Sequence, residues 1–354
     1  MVRRAAVAAA VAAVGLGAAA LSACGAADSG SSAPGSSALG SSAPGPTVPG
    51  NTGVPATGTT GTVGAPSGRL VDIGGGRRMY LECAGTGSPT VILVSGQRTS
   101  AAEWHTTQSA ATPPAPPVFE EVARTNRVCA YDRPGTIVDE GPSRSDPVPQ
   151  PTNAATAAAD LHALLAAAAG ERGPFLLVGH SIGGTVVRAF TAAHPADVGG
   201  MVLIDPPSEF LQDAETPEQW AIQRRLMKVD AAEIADSVAE YPDIERIDID
   251  ATFATLRAAP PLPPIPLVVL SADELLAPQL PAMIASGALP PGTPPDFGPI
   301  FDAAQAKAQA RLAQLTPDAV HITNTNSGHN IHLIQPQLVT DAVLQVAARM
   351  RTAG

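Results

Sequence analysis

One pentapeptide in the sequence has the residue types and spacing of a nucleophilic serine. Gly179-His180-Ser181-Ile182-Gly183 lies between a continuous apolar run and a helix-like segment. This Gly-x-Ser-x-Gly pattern is typical of a nucleophile elbow, a strained strand-to-helix turn that exposes the serine hydroxyl. The glycines are expected because a side chain at either position would collide where the strand and the helix cross closely. The pattern therefore predicts that Ser181 acts as a nucleophile in covalent catalysis.

The elements that would position this serine alternate along the chain from residue 68 onward. The strand candidates are Leu70–Ile73, Arg78–Cys83, Thr90–Ser95, Arg127–Tyr131, Phe175–Gly179, Gly200–Ile204, Pro266–Ser271 and Val320–Asn324. The helix candidates are Thr152–Ala169, Ile182–His194, Thr216–Lys228, Ala231–Tyr241, Ala303–Leu315 and Gln337–Met350. Alternating strands and helices, with several strands apolar throughout, predict an α/β protein whose parallel sheet is covered on both faces.

Two long segments interrupt the alternation. Residues 207–264 separate two candidate strands, and residues 275–303 form a second proline-rich excursion. Insertions of this length at the carboxyl side of a sheet are usually caps over a ligand crevice. Decoration of the surface is the alternative interpretation.

Residues 69–354 resemble the α/β-hydrolase fold family in the order of their elements. The elbow at Ser181 has the family's position, and residues 131–135, Tyr-Asp-Arg-Pro-Gly, are similar to a family segment that follows an earlier strand. The resemblance implies a mostly parallel eight-stranded sheet with helices on both faces and a helical cap at about residues 207–264. It also implies a triad in the order serine, acid, histidine. Epoxide hydrolases and dehalogenases are disfavoured because those members carry aspartate at the place of Ser181.

The resemblance assigns His329 as the base, because Gly328-His329 matches a family loop that precedes the last helix. His332 is the alternative, but its apolar neighbours suggest that it faces the packing or the pocket wall. His180, inside the elbow, is expected to be a structural or pocket residue.

The acid has two candidates, and the residues leave the choice open. Asp205 ends one strand candidate, and some family members place the acid there. Asp273 follows the next strand, where many other members place it, but it comes about two residues early. Asp205 is favoured, and a solvated or helix-capping carboxylate is the alternative role for either.

The family resemblance also suggests which backbone amides stabilise an oxyanion. One belongs to Ile182, next to the nucleophile, and the other to Gln97 in the loop after Thr90–Ser95. Ser95 stands where family members commonly have histidine. Gln97 can still serve, because the donor is a backbone amide.

Two cysteines in this region, Cys83 and Cys129, lie on strands that are neighbours in the family's sheet. The resemblance therefore implies a disulfide between them, and two buried free thiols are the alternative. No His-Glu-x-x-His or Cys-x-x-Cys motif occurs, and the histidines lack the spacing of metal ligands, so no metal or cofactor is expected.

The N-terminal segment is typical of export. Two arginines, an apolar run and small residues predict a signal peptide over residues 1–23, with a short transmembrane helix as the alternative. Leu21-Ser22-Ala23-Cys24 resembles a bacterial lipobox, which implies that Cys24 is lipidated; ordinary cleavage is the alternative. The Ser/Gly/Pro/Ala-rich segment 24–67 has too few apolar residues to fold and is expected to be a flexible tether.

Together these features predict an exported enzyme, lipid-anchored at the outer face of the cytoplasmic membrane or cell envelope, or otherwise secreted. Residues 68–354 would form a monomeric serine hydrolase that cleaves a small-molecule or lipid-like ester or thioester. A cofactor-free haloperoxidase, an amidase, and an inactive tethered binding lipoprotein are the alternatives. The net charge of −11 disfavours binding to nucleic acid.

Overall fold

An eight-stranded sheet organises the part of the chain that the structure describes. The structure is a computed structural model, and it describes residues 67–139 and 141–353. The strands of this sheet are β1 Ser67–Gly74, β2 Arg77–Ala84, β3 Val91–Val94, β4 Val128–Tyr131, β5 Phe175–His180, β6 Val198–Ile204, β7 Leu267–Leu270 and β8 Val320–Ile322. Their order across the sheet is β1-β2-β4-β3-β5-β6-β7-β8. The hairpin of β1 and β2 pairs antiparallel with β4, and all later pairs are parallel.

Each strand of this sheet coincides with a sequence-predicted strand to within a few residues at its ends. The interior strands are recognisable because they are apolar on both faces: all four residues of β3 and all four of β7 are buried. A parallel strand covered by helices on both sides needs no polar face. A separate pairing of Ile137–Val138 with Gly141–Pro142 was not predicted.

Helices cover the sheet and fill the connections. The α-helices are α1 Val118–Val122, α2 Ala154–Ala167, α3 Ile182–Ala193, α4 Glu209–Asp213, α5 Pro217–Leu226, α6 Ala235–Glu240, α7 Ile249–Ala258, α8 Leu280–Ala285, α9 Phe297–Leu312, α10 Ile331–Ile334 and α11 Pro336–Ala353. Short 3₁₀ segments occupy Ala101–His105, Pro195–Asp197 and Ala231–Ile234. One apolar cluster contains residues of α2 and α3, and a second contains residues of α1 and α11. The arrangement is the α/β-hydrolase fold that the sequence resemblance predicts.

Helix α9 starts earlier than the sequence predicts, and α1, α4, α7, α8 and α10 were not predicted. Helix α9 begins at Phe297, six residues before the predicted start, because Pro299 lies in the first turn, where its missing N–H costs no hydrogen bond. Helix α1 was not predicted, since five residues give almost no periodicity. Helix α7 was also missed, although Asp248 caps its N-terminus by accepting from the backbone N–H of Ala251.

The two long insertions pack against each other. Residues 207–264 contain the four helices α4 to α7, and residues 275–303 contain α8 and the start of α9. A small apolar cluster unites them, formed by Leu226 from the first insertion and Leu276, Leu280 and Phe297 from the second.

A disulfide joins β2 to β4. Cys83 and Cys129 are directly opposite each other in the antiparallel register, and their Cα atoms are 4.1 Å apart. The predicted disulfide is therefore present in the structure.

The predicted signal peptide, Cys24 and nearly all of the predicted tether lie outside the described residues. Within the described ranges, no helix has both the length and the apolar composition needed to cross a membrane.

Candidate active site

Ser181 lies in a sharp turn between β5 and α3. Its backbone has φ +51° and ψ −127°, a sparsely populated conformation for a residue with a side chain. A Cβ at Gly179 would come within 2.6 Å of the Gly183 backbone, and one at Gly183 would come within 2.2 Å of the carbonyl oxygen of Val94. Gly179 is thus needed where the strand and the helix cross, as predicted, whereas Gly183 is needed because carbonyl oxygens at the end of β3 lie close to it.

His329 and Asp205 are brought together at the carboxyl end of the sheet. His329 Nδ1 lies 2.7 Å from Asp205 Oδ2, at hydrogen-bond distance. With Asp205 ionised, Nδ1 carries the proton and Nε2 is the basic nitrogen of the imidazole. Ser181, His329 and Asp205 all line one cavity. The arrangement brings a hydroxyl, an imidazole and a carboxylate to one cavity, with the carboxylate at hydrogen-bond distance from the imidazole.

The other Asp205 oxygen is also occupied. Oδ1 accepts from the backbone N–H of Ala272 at 3.2 Å and from the Gln305 side-chain amide at 3.3 Å. Asp205 is buried, with 4% of its surface exposed, and its φ is +43°. These contacts fix the carboxylate beside His329.

Asp273, the alternative acid, has other partners. It accepts from the backbone N–H groups of Asn326 and Ser327 and from the Thr325 hydroxyl. Burial raises the pKa of Asp273, but these hydrogen bonds outweigh it and hold the pKa below its ordinary value. Asp273 thus binds the backbone at the start of the loop that carries His329, whereas Asp205 contacts the imidazole itself.

Gln97 and Ile182, the two residues predicted to donate backbone amides, both line the cavity that contains Ser181. Between β3 and Gln97, the chain is held by the buried side chain of Arg133. This guanidinium donates to the carbonyl oxygens of Ser95 at 2.7 Å and Gly96 at 2.5 Å. Ser95, which replaces the family's histidine, donates to the carbonyl of Ser100 and is buried.

Glu245, from the first insertion, holds Arg133 in place. Its carboxylate lies 2.7 Å from Arg133 Nε and 3.1 Å from Nη2, and it also accepts from the backbone N–H of Arg98 at 2.6 Å. Burial lowers the pKa of Arg133, but the charge of Glu245 outweighs burial and raises it. Sequence reasoning did not identify Glu245, because nothing in its local sequence indicates a partner in a distant loop.

Glu103, His180 and His332 form a buried group beside the elbow. His180 Nδ1 is 3.7 Å from Glu103 Oε1, and His332 Nε2 is 3.8 Å from Glu103 Oε2. Burial raises the pKa of Glu103, but the neighbouring His180 outweighs burial and holds the pKa below its ordinary value. Burial lowers the pKa of His332 to about 3, which keeps its imidazole neutral at pH 7. His332 packs against Trp104, in agreement with its predicted place in the packing.

The cavity above Ser181 has a volume of about 430 Å³. Both insertions contribute to its wall. Its apolar lining includes Leu211, Leu226, Met227, Leu275, Leu276, Met283, Phe301 and Leu333. Neither lysine nor arginine is among the described residues that line it. Ligand cavities in proteins commonly combine such apolar walls with a few polar groups.

Comparison with curated proteins gives short local matches. An uncharacterised protein of Schizosaccharomyces pombe is 31% identical over 156 residues, which are 37% of this chain and 26% of that protein. An uncharacterised vacuolar membrane protein of Saccharomyces cerevisiae is 35% identical over 82 residues, which are 23% of this chain and 12% of that protein. The chain thus spans about a quarter or less of the length of these relatives.

Solved structures give longer but more distant matches. The N-acyl homoserine lactone degrading enzyme Est816 is 18% identical with a TM-score of 0.48, and the match covers 78% of this chain and 99% of that one. A carboxylesterase from Bacillus subtilis is also 18% identical with a TM-score of 0.48, covering 80% and 91%.

The family comparison covers most of the chain. Residues 91–342 match the model of the alpha/beta hydrolase family, a range that includes Ser181, Asp205 and His329. The match begins with β3 and ends inside α11, so it contains the parallel part of the sheet and both insertions. This chain therefore belongs to the alpha/beta hydrolase family.

Proposed function

We propose that the protein is a serine hydrolase that cleaves carboxylic esters through an acyl-enzyme. The observation that carries the proposal is the 2.7 Å contact between His329 and Asp205 at the cavity that contains the strained Ser181 turn. A positioned base with its own orienting acid is what an unactivated hydroxyl needs to become a nucleophile.

The reaction divides into two steps. Ser181 Oγ attacks the ester carbonyl carbon while His329 Nε2 takes the hydroxyl proton, and Asp205 stabilises the imidazolium that forms. The backbone N–H groups of Gln97 and Ile182 would stabilise the tetrahedral oxyanion. His329 then gives the proton to the departing alcohol, which leaves the acyl group on Ser181. A water molecule then gives a proton to the same nitrogen and attacks the acyl carbon; the bond to Ser181 Oγ breaks, the carboxylic acid leaves, and His329 returns the proton to Ser181.

The cavity supports a small-molecule or lipid-like ester as the substrate. Its wall is rich in leucine and methionine, and no described lysine or arginine lines it to pair with an anionic substrate. We therefore propose that a neutral, apolar acyl or alkyl group fills the space below the insertions. A thioester would meet the same groups, since the carbonyl carbon and the oxyanion are common to both substrates.

Covalent labelling and ester hydrolysis test the proposal on the full chain. A fluorophosphonate probe should label the wild type, and nitrophenyl esters of increasing acyl length should be hydrolysed. Ser181→Ala should abolish both signals. Ser286→Ala is the matched control, because Ser286 is exposed and makes only a local hydrogen bond to the Met283 carbonyl.

Folded wild-type protein that neither reacts with the probe nor hydrolyses any ester of the series would contradict the proposal. Faster cleavage of nitroanilides than of the matched esters would indicate an amidase instead.

A further inference from the structure

Three segments of the candidate active site meet around one buried group of side chains. Glu103 lies on the 3₁₀ segment Ala101–His105, which follows the loop of Gln97. His180 is the last residue of β5 and immediately precedes Ser181. His332 lies on α10, three residues after His329. His180 is 3% exposed and His332 is 1% exposed.

The two imidazoles have nitrogen atoms that the protein leaves without a hydrogen bond. His180 Nδ1 and both ring nitrogens of His332 are buried and have no hydrogen-bond partner among the described residues. More than about 90% of buried polar atoms in proteins have a partner, and an exception calls for a water molecule or an ion. The unpartnered atoms converge, since one ligand atom from each of Glu103, His180 and His332 lies within 4.8 Å of the other two.

The donor set is that of a transition-metal site. Two imidazole nitrogens and one carboxylate oxygen are common ligands of Zn²⁺, at about 2.0–2.2 Å from the metal. The two imidazoles face different oxygens of the Glu103 carboxylate, at 3.7 Å from Oε1 and 3.8 Å from Oε2, so the side chains would have to close around the ion for it to bind. Gly96 leaves room beside them, because a Cβ there would lie 2.9 Å from His180 Nδ1.

Groups around the three side chains already orient them as ligands. His180 Nε2 is 3.2 Å from the carbonyl oxygen of His329, so a proton on Nε2 leaves the Nδ1 lone pair free. Glu103 Oε1 accepts from the backbone N–H of Gly96 at 3.0 Å. Hydrogen bonds of this kind, from a metal-binding histidine to a carbonyl and from an amide to a metal-binding carboxylate, fix the orientation of metal ligands.

We propose that Glu103, His180 and His332 bind one divalent transition-metal ion of the Zn²⁺ type. The ion would connect the three segments that carry Gln97, Ser181 and His329. It would therefore stabilise the folded site and does not need to contact the substrate. Sequence spacing could not indicate such a site, because its ligands are distributed over more than two hundred residues.

Metal content and metal titration of the full chain test the proposal, with no reductant present so that the disulfide stays intact. Protein purified without chelator, then stripped with EDTA, should bind one equivalent of Zn²⁺ by calorimetry and elemental analysis. Saturating Zn²⁺ should raise the melting temperature by about 5 °C or more, because it binds only the folded state. Co²⁺ in place of Zn²⁺ should give visible d–d absorption.

His332→Gln and Glu103→Gln should each weaken Zn²⁺ binding by about 100-fold or more, since each removes one ligand. His194→Gln is the matched control. His162, His194 and Asp197 form a second histidine-containing group, at a more exposed position away from the site, and its loss should leave the bound equivalent unchanged.

The proposal is wrong if wild-type protein binds no Zn²⁺ at millimolar concentration. It is equally wrong if Zn²⁺ binding is undiminished in both His332→Gln and Glu103→Gln, and loss of binding in His194→Gln would then place the ion at the second group. Should both site variants misfold, zinc-edge X-ray absorption of the wild type decides the ligand set. Two imidazoles with one carboxylate support the site, and any set without two imidazoles overturns it.

Discussion

Two aspartates follow neighbouring strands of the sheet, and their hydrogen-bond partners distinguish their roles. Asp205 follows β6 and contacts His329, whereas Asp273 follows β7 and binds the backbone at Asn326 and Ser327. Both carboxylates contribute to placing the same imidazole, one by orienting its ring and the other by shaping its loop. Substituting each aspartate in turn therefore separates the effect of orienting the His329 ring from the effect of shaping its loop.

Replacing Asp205 with Asn should lower kcat for ester hydrolysis by about 10³–10⁴-fold, because an amide favours the wrong tautomer of His329. Asp273→Asn retains one acceptor oxygen for the loop, and we expect a loss in kcat of less than about tenfold. Steady-state kinetics on one nitrophenyl ester, with circular dichroism as the folding control, measure both. A larger loss for Asp273→Asn than for Asp205→Asn would reverse the assignment of the acid.

Glu215 makes the stability of the first insertion depend on pH. Burial raises the pKa of Glu215 to about 7, and neither carboxylate oxygen has a hydrogen-bond partner among the described residues. The folded state thus binds the proton more tightly than the unfolded state, whose glutamate has a pKa near 4.5. Its contribution to stability is complete below that value and is lost as the pH rises through about 7.

Glu215→Gln should remove this part of the pH dependence, because glutamine stays neutral. Melting temperatures of wild type and variant should differ more at pH 8 than at pH 4.5, with the variant the more stable at pH 8. Glu218→Gln is a suitable control, since Glu218 is exposed in the first turn of α5, three residues after Glu215, and hydrogen bonds there hold its pKa below its ordinary value and so below the compared range. Parallel curves for wild type and Glu215→Gln across this range would contradict the prediction.

At the scale of elements, the sequence predicts best what depends on local pattern. The interior strands β3 to β7 are largely apolar runs of four to seven residues, and the elbow around Ser181 needs glycines that lie close to it in sequence. The contacts of Glu103 with the two histidines and of Glu245 with Arg133 could not be predicted, because these partners lie far away in the sequence. The short helices of the insertions have too few turns for a clear period. Local pattern thus identifies the nucleophile and its element, and tertiary contacts supply what holds them.

One such contact joins the first insertion to the loop that carries Gln97. Glu245 binds Arg133, and Arg133 binds the carbonyl oxygens of Ser95 and Gly96. The insertion therefore helps to position a residue proposed to stabilise the oxyanion, in addition to lining the cavity.

Glu245→Gln should lower kcat by about ten- to hundredfold with little change in KM, since a small displacement of the loop weakens binding of the transition state most. Glu209→Gln is a matched control. Glu209 forms an equally buried bidentate pair with Arg188, at 2.6 and 2.8 Å, and contacts neither the elbow serine nor the Gln97 loop. We expect it to lower the melting temperature to a similar degree while kcat is retained. Equal losses of kcat in both variants would show that Glu245 acts only through stability.

At the scale of the whole molecule, sequence and structure describe two different parts of the chain. The described residues form a domain of the alpha/beta hydrolase family, its cavity has a largely apolar wall, and the chain carries an excess of acidic residues. The sequence before them begins with the pattern of an exported lipoprotein, a predicted signal peptide followed by the lipobox-like Leu21-Ser22-Ala23-Cys24. Joining the two, we propose that the hydrolase acts at the outer face of a bacterial membrane.

Lipidation at Cys24 is the step on which this location depends. A diacylglyceryl group and an added acyl chain anchor a protein stably, whereas a single chain does not. Wild type expressed in a bacterial host should incorporate labelled palmitate and sediment with membranes. Cys24→Ala should lose the label and stay in the soluble fraction or the precursor form, and Ser31→Ala should behave as wild type. Palmitate incorporation that survives Cys24→Ala, or an unmodified Cys24 in the mass spectrum of mature wild type, would exclude the anchor and leave the protein secreted.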